Sequence, residues 1–235
     1  MLTLPTSISL PLYIQICELL EREIAAGHFR AGDRLPPESQ LAKNLGVAVG
    51  TLRKSLAELE TRGRLVRRQG SGTYVASNNE AQLSAKSIYE FFRLELMRGG
   101  GLPTAVITDF QKVSMPQYFE GVSYRVRRLR SLNSIPIAVE EIYFNANHQS
   151  NLKVEDIGEA LYWFYKENLG FWITSVEDRI GIAPVPSWSP SVFTPAIGSL
   201  CPYIERVSKS NKNIIEEYSM TWFDAKHARY INRIK

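Results

Sequence analysis

Residues 32–75 read GDRLPPESQLAKNLGVAVGTLRKSLAELETRGRLVRRQGSGTYV, and this stretch decides the fold of the first part of the chain. It predicts a short helix over about 38–45, a tight turn at Gly46 and a second helix over about 49–62. A strand, a glycine-containing turn and a return strand follow over 65–75. Helix, turn, helix and hairpin in this order are the parts of a winged helix-turn-helix, in which one helix enters the DNA major groove.

The second helix of this stretch has one apolar side and one polar end. Leu52, Leu56 and Leu59 recur at helical spacing, which predicts a buried edge. Near the N-terminus, largely off that edge, lie Gly50, Thr51, Arg53 and Lys54. A recognition helix needs this arrangement, because its first residues reach base edges while its opposite side packs. We therefore expect these four residues to contact DNA.

Positive charge collects in the same stretch. The whole chain of 235 residues has a formal net charge of only +4, yet residues 43–72 hold seven Lys and Arg against two Glu. Such clustering is the electrostatic footprint of a DNA-binding surface, although a solvated helix face could also produce it. The hairpin tip Gln69-Gly70-Ser71-Gly72 suits the narrow minor groove. A plain surface hairpin is the alternative interpretation.

The length and composition indicate a two-domain globular protein. Hydrophobic residues make up 44% and charged residues 22% of the chain. Of the two cysteines, Cys17 falls on an apolar helix face and is expected to be a buried small hydrophobe. There is no run of about 18 apolar residues and no pattern of a signal peptide. The sequence therefore predicts a cytoplasmic protein without a membrane span.

The remainder of the chain predicts an α+β domain with a mainly antiparallel sheet. Residues 77–86 are small and polar and are expected to link a DNA-binding domain over 1–76 to an effector-binding and dimerisation domain over 87–235. Helices are predicted over 87–98 and 155–168, with an irregular proline-rich segment over 184–190. Strands are predicted over 105–113, 122–130, 135–144, 171–182, 202–208 and 214–223.

The first domain resembles the N-terminal winged helix of GntR-family bacterial transcription regulators. The matching residues are Pro11-Leu12-Tyr13, Gly32-Asp33-Arg34-Leu35-Pro36-Pro37-Glu38, Leu41-Ala42, Leu45-Gly46-Val47, Thr51-Leu52-Arg53, Leu56, Leu59, Gly63 and Gly70-Ser71-Gly72-Thr73-Tyr74-Val75. The resemblance implies that Arg34 and Arg53 contact DNA and that Gly70 enters the minor groove. The family often has Ser or Thr followed by Arg where this chain has Ala48-Val49, and Thr or Met where it has Gly50. The operator would therefore differ from the commonest family sites, or recognition would depend more on Arg53, Lys54 and the wing.

The second domain resembles the UTRA effector domain of HutC-type members, which has a chorismate-lyase-like fold. The matching residues are Arg128-Leu129-Arg130, Ile135-Pro136-Ile137-Ala138-Val139-Glu140, Leu161-Tyr162, Leu169-Gly170, Glu205-Arg206, Glu217-Tyr218 and Thr221-Trp222-Phe223. The resemblance implies a small-molecule site that includes Arg128, Arg130, Glu140, Tyr162, Glu217 and Phe223. Arginines at alternate positions of one strand face the same side and could hold an anion. Alternatively, these charges form internal ion pairs.

Two further features bear on the ligand. Relatives that bind sugar phosphates tend to have Ser or Thr where this chain has Glu159, and a carboxylate there would repel phosphate, so a phosphosugar is less favoured. Tyr162, Trp163, Phe171 and Trp172 could line an aromatic or apolar ligand's site, although such spacing is more often that of a core.

The sequence as a whole predicts a ligand-responsive transcription regulator, most simply a repressor. It would bind a near-palindromic operator as a homodimer, because two-fold proteins match two-fold sites. One alternative is a DNA-binding protein whose C-terminal domain only dimerises. The other is an enzyme fused to a DNA-binding domain, but neither a phosphate-binding loop, a zinc-spaced histidine pair nor a nucleophile elbow is evident. No cofactor or metal is expected.

Overall fold

The structure is a computed structural model that describes residues 11–25, 28–76, 93–97, 103–115, 117–158 and 160–232. These residues separate into two compact units, one within 11–76 and the other formed by 93–97 and 103–230. The linker predicted over 77–86 lies outside the described residues.

The first unit is a winged helix-turn-helix, as predicted. Its elements are α1 (Leu12–Ala25), α2 (Glu38–Leu45), α3 (Val49–Thr61), β1 (Leu65–Arg68) and β2 (Gly72–Val75). Gly46 ends α2 in the left-handed conformation, with φ of 67°, and its N–H donates to the last carbonyls of that helix. β1 and β2 pair in antiparallel fashion, with Arg68 opposite Gly72. The turn between α2 and α3 therefore depends on a glycine.

The core of this unit lies between α1 and α3. Leu52, Leu56 and Leu59 are buried against the apolar side of α1, which confirms the edge predicted from their spacing. Cys17 is buried in the same cluster, and its thiol donates to the carbonyl oxygen of Ser55 at 3.3 Å. Burial raises the pKa of this thiol to about 12, so Cys17 packs as a neutral small side chain.

The second unit is built on an antiparallel sheet of six strands, and the predicted fold class is confirmed. In spatial order the strands are β4 (Pro103–Ser114), β5 (Val122–Leu132), β6 (Ile135–Asn145), β9 (Ile215–Phe223), β8 (Leu200–Ser210) and β7 (Ile173–Pro184). Two short strands, β3 (Leu94–Leu96) and β10 (Ala228–Tyr230), pair with each other. A short helix, α4 (Leu161–Phe164), continues as a π-helix over Tyr165–Leu169.

Two of the predicted helices are wrong. In the segment 87–98, the described residues Leu94–Leu96 form a strand, because Leu94 and Leu96 alternate with Glu95 and pair with β10. The helix predicted over 155–168 is interrupted, since Ile157 and Ala160 are extended and buried between a 3-10 turn and α4. In both places tertiary packing overrides the local helical pattern.

Candidate DNA-binding surface and effector site

The predicted DNA-contacting residues lie on α3, on the wing and on the segment before α2, where they are exposed or half-buried. They are Arg34, Gly50, Thr51, Arg53, Lys54, Gln69, Gly70, Ser71 and Gly72. The structure brings Arg34 to the wing, because Arg34 forms an isolated β-bridge with Tyr74. A Cβ atom on Gly72 would lie 2.9 Å from Nε of Arg34, and Gly72 has φ of 125°. Glycine is thus required where the Arg34 side chain crosses the base of the wing.

A carboxylate that the sequence interpretation missed joins α3 to the wing. Glu38, at the start of α2, accepts a hydrogen bond from Nε of Arg53 at 2.6 Å and another from Nη2 of Arg67 at 3.0 Å. The Arg53 side chain remains 66% exposed. Arg67, on β1, is one of the seven basic residues within 43–72, but the sequence does not single it out as a DNA contact. Glu38 therefore orients one guanidinium from α3 and one from the wing on the same surface.

Other cations of this surface rest on aromatic rings. The ammonium of Lys54 lies 3.9 Å from the ring centroid of Tyr13 on α1. The guanidinium of Arg68 lies 4.6 Å from the ring of Tyr74, whose hydroxyl is 2.6 Å from that of Ser71. Such contacts restrict the cations without neutralising them, so the surface remains positive.

In the second unit, charged side chains line one face of the large sheet between two apolar clusters. One cluster packs beneath α4 and includes Phe144 and Phe164. The other packs beneath β3 and β10 and includes Leu132 and Phe223. Between them lies a set of residues that we call the polar band: Asp178 on β7, Arg206 and Ser208 on β8, Glu217 on β9, Glu140 on β6, and Arg128 and Arg130 on β5. The strand registers set Arg128 opposite Glu140, Ser208 opposite Glu217 and Arg206 opposite Asp178. Between β6 and β9, Glu140 faces Thr221 and Glu217 faces Phe144.

Arg128 and Glu140 form a buried ion pair at the centre of the polar band. They are directly opposite each other on β5 and β6, and Nε of Arg128 donates to Oε2 of Glu140. Burial acts to raise the pKa of Glu140, but the charges of Arg128 and Arg130 lower it below the ordinary value. Burial likewise opposes the charged form of Arg128, yet Glu140 holds the pKa of the guanidinium above its usual value. Both groups are therefore ionised.

Glu217 is surrounded by hydroxyl groups. Its carboxylate accepts hydrogen bonds from Tyr165 at 2.8 Å and from Tyr162 and Ser208 at 3.1 Å each. Burial raises the pKa of Glu217 even though these donors act against the shift. Tyr162 was a predicted site residue, whereas Tyr165 and Ser208 were not.

Arg206, Asp178 and Tyr230 extend the site toward β7. Arg206 donates to both carboxylate oxygens of Asp178, at 2.5 and 2.7 Å, and the hydroxyl of Tyr230 donates to Asp178 at 2.6 Å. Burial opposes ionisation of Asp178, but the hydrogen bonds from Arg206 lower its pKa. Arg206 belongs to one of the motifs that match the UTRA domain, whereas the sequence alone does not predict a role for Asp178 or Tyr230. The polar band thus contains three arginines and three carboxylates.

Aromatic residues from the sequence prediction are separated by the fold. Phe223 is buried in the cluster beneath β3 and β10 and borders the polar band from its apolar side. Phe171 belongs to the core beneath α4, and Trp172 is exposed. Of this group, Tyr162 directs a polar atom into the band. The arrangement therefore offers guanidinium and hydroxyl donors, carboxylate acceptors and an apolar border.

Sequence comparisons agree with this architecture. The family of bacterial regulatory proteins called gntR matches residues 12–75, and the UTRA domain matches residues 119–229. The HTH-type transcriptional regulator SmoD of Agrobacterium fabrum is 45% identical over 232 residues, which cover 97% of each chain. The histidine utilization repressor of Pseudomonas aeruginosa is 32% identical over 143 residues, covering 58% of this chain and 57% of that protein.

A winged helix-turn-helix joined to a UTRA domain defines a ligand-responsive transcription regulator. The chain belongs to the GntR family of bacterial transcription regulators, in its HutC-like branch. The GntR domain binds DNA and the UTRA domain binds a small-molecule effector. Both of these relatives are transcription regulators by name.

Solved structures share the fold. YydK from Bacillus subtilis aligns with 95% of this chain and 99% of its own, with a TM-score of 0.52 and 20% identity. The ligand-binding domain of a GntR-family regulator from Bordetella bronchiseptica aligns with 61% of this chain and 96% of its own, with a TM-score of 0.54 and 16% identity. At these identities the likeness concerns the fold alone.

The described residues hold neither a membrane-spanning helix nor a metal-binding cluster. No helix there is long and apolar enough to cross a membrane. Within the same residues, no group of three or more His, Cys, Asp and Glu side chains is placed to hold a metal ion.

Proposed function

We propose that the protein is a repressor that binds a near-palindromic operator as a homodimer and releases it when a small anionic metabolite occupies the polar band. The observation that carries this proposal is a group of three arginines and three carboxylates between two apolar clusters. Four of the six are buried, and the other two, Arg206 and Asp178, have side chains that are only 14% and 9% exposed. Buried ion pairs contribute little net stability, because desolvation offsets their attraction. Their concentration at one place is therefore better explained by ligand recognition.

The chemistry of the polar band indicates the class of ligand. Guanidinium groups present planar forks that match carboxylate and other oxyanion groups. The carboxylates of Glu140, Glu217 and Asp178 can accept hydrogen bonds from hydroxyls once their present donors rearrange. An anion that also carries hydroxyl groups fits both sets. Glu159 lies outside the described residues. The sequence argument that a carboxylate at this position would repel phosphate still applies, so we disfavour a phosphosugar as the ligand.

Effector binding would act through the relative populations of two states of the dimer. The ligand must bind more tightly to the state that fits the operator poorly, since a ligand with equal affinity for both states shifts nothing. In that state the two DNA-binding units would no longer match the spacing of the half-sites. One of the two relatives, the histidine utilization repressor, is a repressor by name, which supports this direction of control.

For operator recognition we propose Arg34, the N-terminal part of α3 and the wing, with Arg53 as a base reader. Replacement of Arg53 by alanine is expected to weaken operator binding by about 1–3 kcal/mol and to relax the preference at one base pair. Fluorescence anisotropy with a labelled operator, selected from random sequences by the wild-type protein, measures both effects.

The exposed Lys226, in the second unit, supplies the control for this substitution. Lys226→Ala removes the same charge and should leave operator affinity unchanged. If Arg53→Ala keeps the wild-type affinity and base preference, Arg53 does not read a base.

The proposed function is tested by a thermal-shift screen of metabolites on the whole protein, followed by operator binding in the presence of each hit. A ligand that binds only the folded state raises the unfolding midpoint. The expected result is a hydroxylated anion that both raises the midpoint and releases the operator. A C-terminal domain that only dimerises would give no such hit, and an enzyme would consume the hit during incubation. Either outcome would contradict the proposal.

A further inference from the structure

Strand β7 is an unprotected edge of the large sheet. In the part of the chain that the structure describes, β8 pairs with its inner side and no strand pairs with its outer side. Ile180 and Ile182 on this strand are 58% and 69% exposed, and Leu200, at the adjoining end of β8, is 70% exposed. A long edge strand with exposed apolar side chains is a template for pairing with another chain.

The opposite edge of the sheet differs. β4 ends with the polar residues Gln111, Lys112 and Ser114 exposed. A lysine and other polar side chains on an edge strand are common features that prevent edge-to-edge association. Of the two edges, β7 is therefore the one suited to a partner strand.

Gly181 separates the two exposed isoleucines and has no explanation within a single chain. A Cβ atom at this position would meet nothing within 4 Å. Its φ is not positive, and the pairing with β8 runs through it without the shift that occurs near Ile173. Glycine inside a strand is often found where a ligand or another backbone approaches closely, and the open space beside Gly181 leaves room for such an approach.

The charges on β7 are complementary to those of a second copy of the same strand. Glu177 and Arg179 are exposed, lie two residues apart on one face, and contact each other at 2.8 Å. If two β7 strands pair in antiparallel fashion about a two-fold axis at Asp178, Glu177 lies opposite the partner's Arg179, and the reciprocal pair forms as well. Opposite charges at directly facing positions stabilise an antiparallel pair.

We propose that β7 pairs with β7 of a second copy about this axis, so that two six-stranded sheets become one continuous sheet. This inference rests on the homodimer of the proposed function and gives its location. The axis leaves Ile180 and Ile182 on one face of the extended sheet. Asp178, at the axis, directs its carboxylate to Arg206 and Tyr230, so the two facing carboxylates are each neutralised within their own chain.

Charge reversal on β7 tests this arrangement in the full-length protein. Glu177→Arg and Arg179→Glu each place like charges opposite one another at both reciprocal positions. Each variant alone is expected to raise the dimer dissociation constant at least about tenfold in sedimentation-velocity experiments. An equimolar mixture of the two variants restores opposite charges across the axis and is expected to form heterodimers with near wild-type affinity. Contacts within one chain cannot produce such a rescue.

Glu167→Arg supplies the matched control, because Glu167 is exposed and lies on the π-helix, not on β7. This variant should dimerise as the wild type does. If either β7 variant fails to fold, Ile182→Lys replaces it. Its control is Ile214→Lys, because Ile214 is also exposed but lies in the turn between β8 and β9. The expected result is then a monomer for Ile182→Lys and a dimer for Ile214→Lys.

The same experiments distinguish the existence of the homodimer from the location of its interface at β7. A wild-type dimer that none of the β7 substitutions weakens would overturn the pairing of β7 and leave the homodimer of the proposed function standing. A wild-type chain that sediments as a monomer at every concentration used would overturn both.

Discussion

Replacing Arg128 with alanine is expected to destabilise the effector-binding unit by about 3–5 kcal/mol. The reason is that Glu140 would remain buried without its partner, and Glu217 would lose a stabilising charge. Removal of one member of a buried pair costs far more than the pair contributes, because the remaining charge is uncompensated. Urea unfolding, followed by tryptophan fluorescence and circular dichroism, measures the loss.

The control is Lys212→Ala, which removes an exposed charge from the turn between β8 and β9. A change within about 0.5 kcal/mol is expected there. A loss below about 1 kcal/mol for Arg128→Ala would show that Glu140 is neutralised by other groups or by water.

The same pair gives a pH dependence with a defined sign. Because the pKa of Glu140 is lowered in the folded protein, the pair stabilises the fold above the unfolded pKa of about 4.3 and loses that contribution as the pH falls. Glu217, whose pKa is raised, acts in the opposite direction, so the informative quantity is the difference between wild type and Arg128→Ala. That difference should shrink as the pH is lowered below about 4.

The fold of the first unit could be predicted from the sequence because local features determine it. Gly46 ends α2, and the leucines of α3 recur at helical spacing over a single element. The interrupted helix around Ile157 could not be predicted in the same way. There the burial of one side chain against distant strands decides the backbone conformation, and no local pattern records that packing.

The effector site was predictable only where neighbouring strands are joined by a short turn. Arg128 and Glu140 lie on β5 and β6, which a tight turn connects, so the sequence could predict that they lie near each other. Their directly facing positions depend on a β-bulge between Arg130 and Ser131, which shifts the register by one residue. Arg206 and Asp178 lie on strands separated by residues 185–199, and a connection of that length leaves the register undetermined. Tyr230 is placed by a third element, β10, and is still less accessible to sequence reasoning.

On the proposed DNA-binding surface, the contact of Glu38 with Arg53 and Arg67 likewise could not be predicted from the sequence. The three residues come from α2, α3 and β1, and only the packed unit brings them within hydrogen-bond distance. The sequence could indicate that the stretch is basic. It could not indicate that one carboxylate links two of its arginines, and so constrains which guanidinium nitrogens remain available for bases.

Replacing Arg130 with alanine is expected to abolish the response to effector while leaving operator binding intact. Arg130 lies two residues from Arg128 on the same face of β5, is buried, and contributes to the lowered pKa of Glu140. Loss of a buried guanidinium that holds an anion costs about 2–5 kcal/mol of ligand binding. The residues that we propose as DNA contacts belong to the other compact unit, so the substitution leaves their surface unchanged.

Anisotropy titrations with labelled operator measure this effect, using the metabolite that raises the unfolding midpoint of the wild-type protein. At the concentration that releases half of the operator from wild type, Arg130→Ala should release none. Arg130→Lys should respond only at higher concentration, because an ammonium keeps the charge but lacks the planar fork. If Arg130→Ala releases the operator at the wild-type concentration, the ligand binds elsewhere. A variant that also loses operator affinity has lost its fold. In that case Arg130→Lys, which should fold and respond only at higher effector concentration, tests the ligand contact instead.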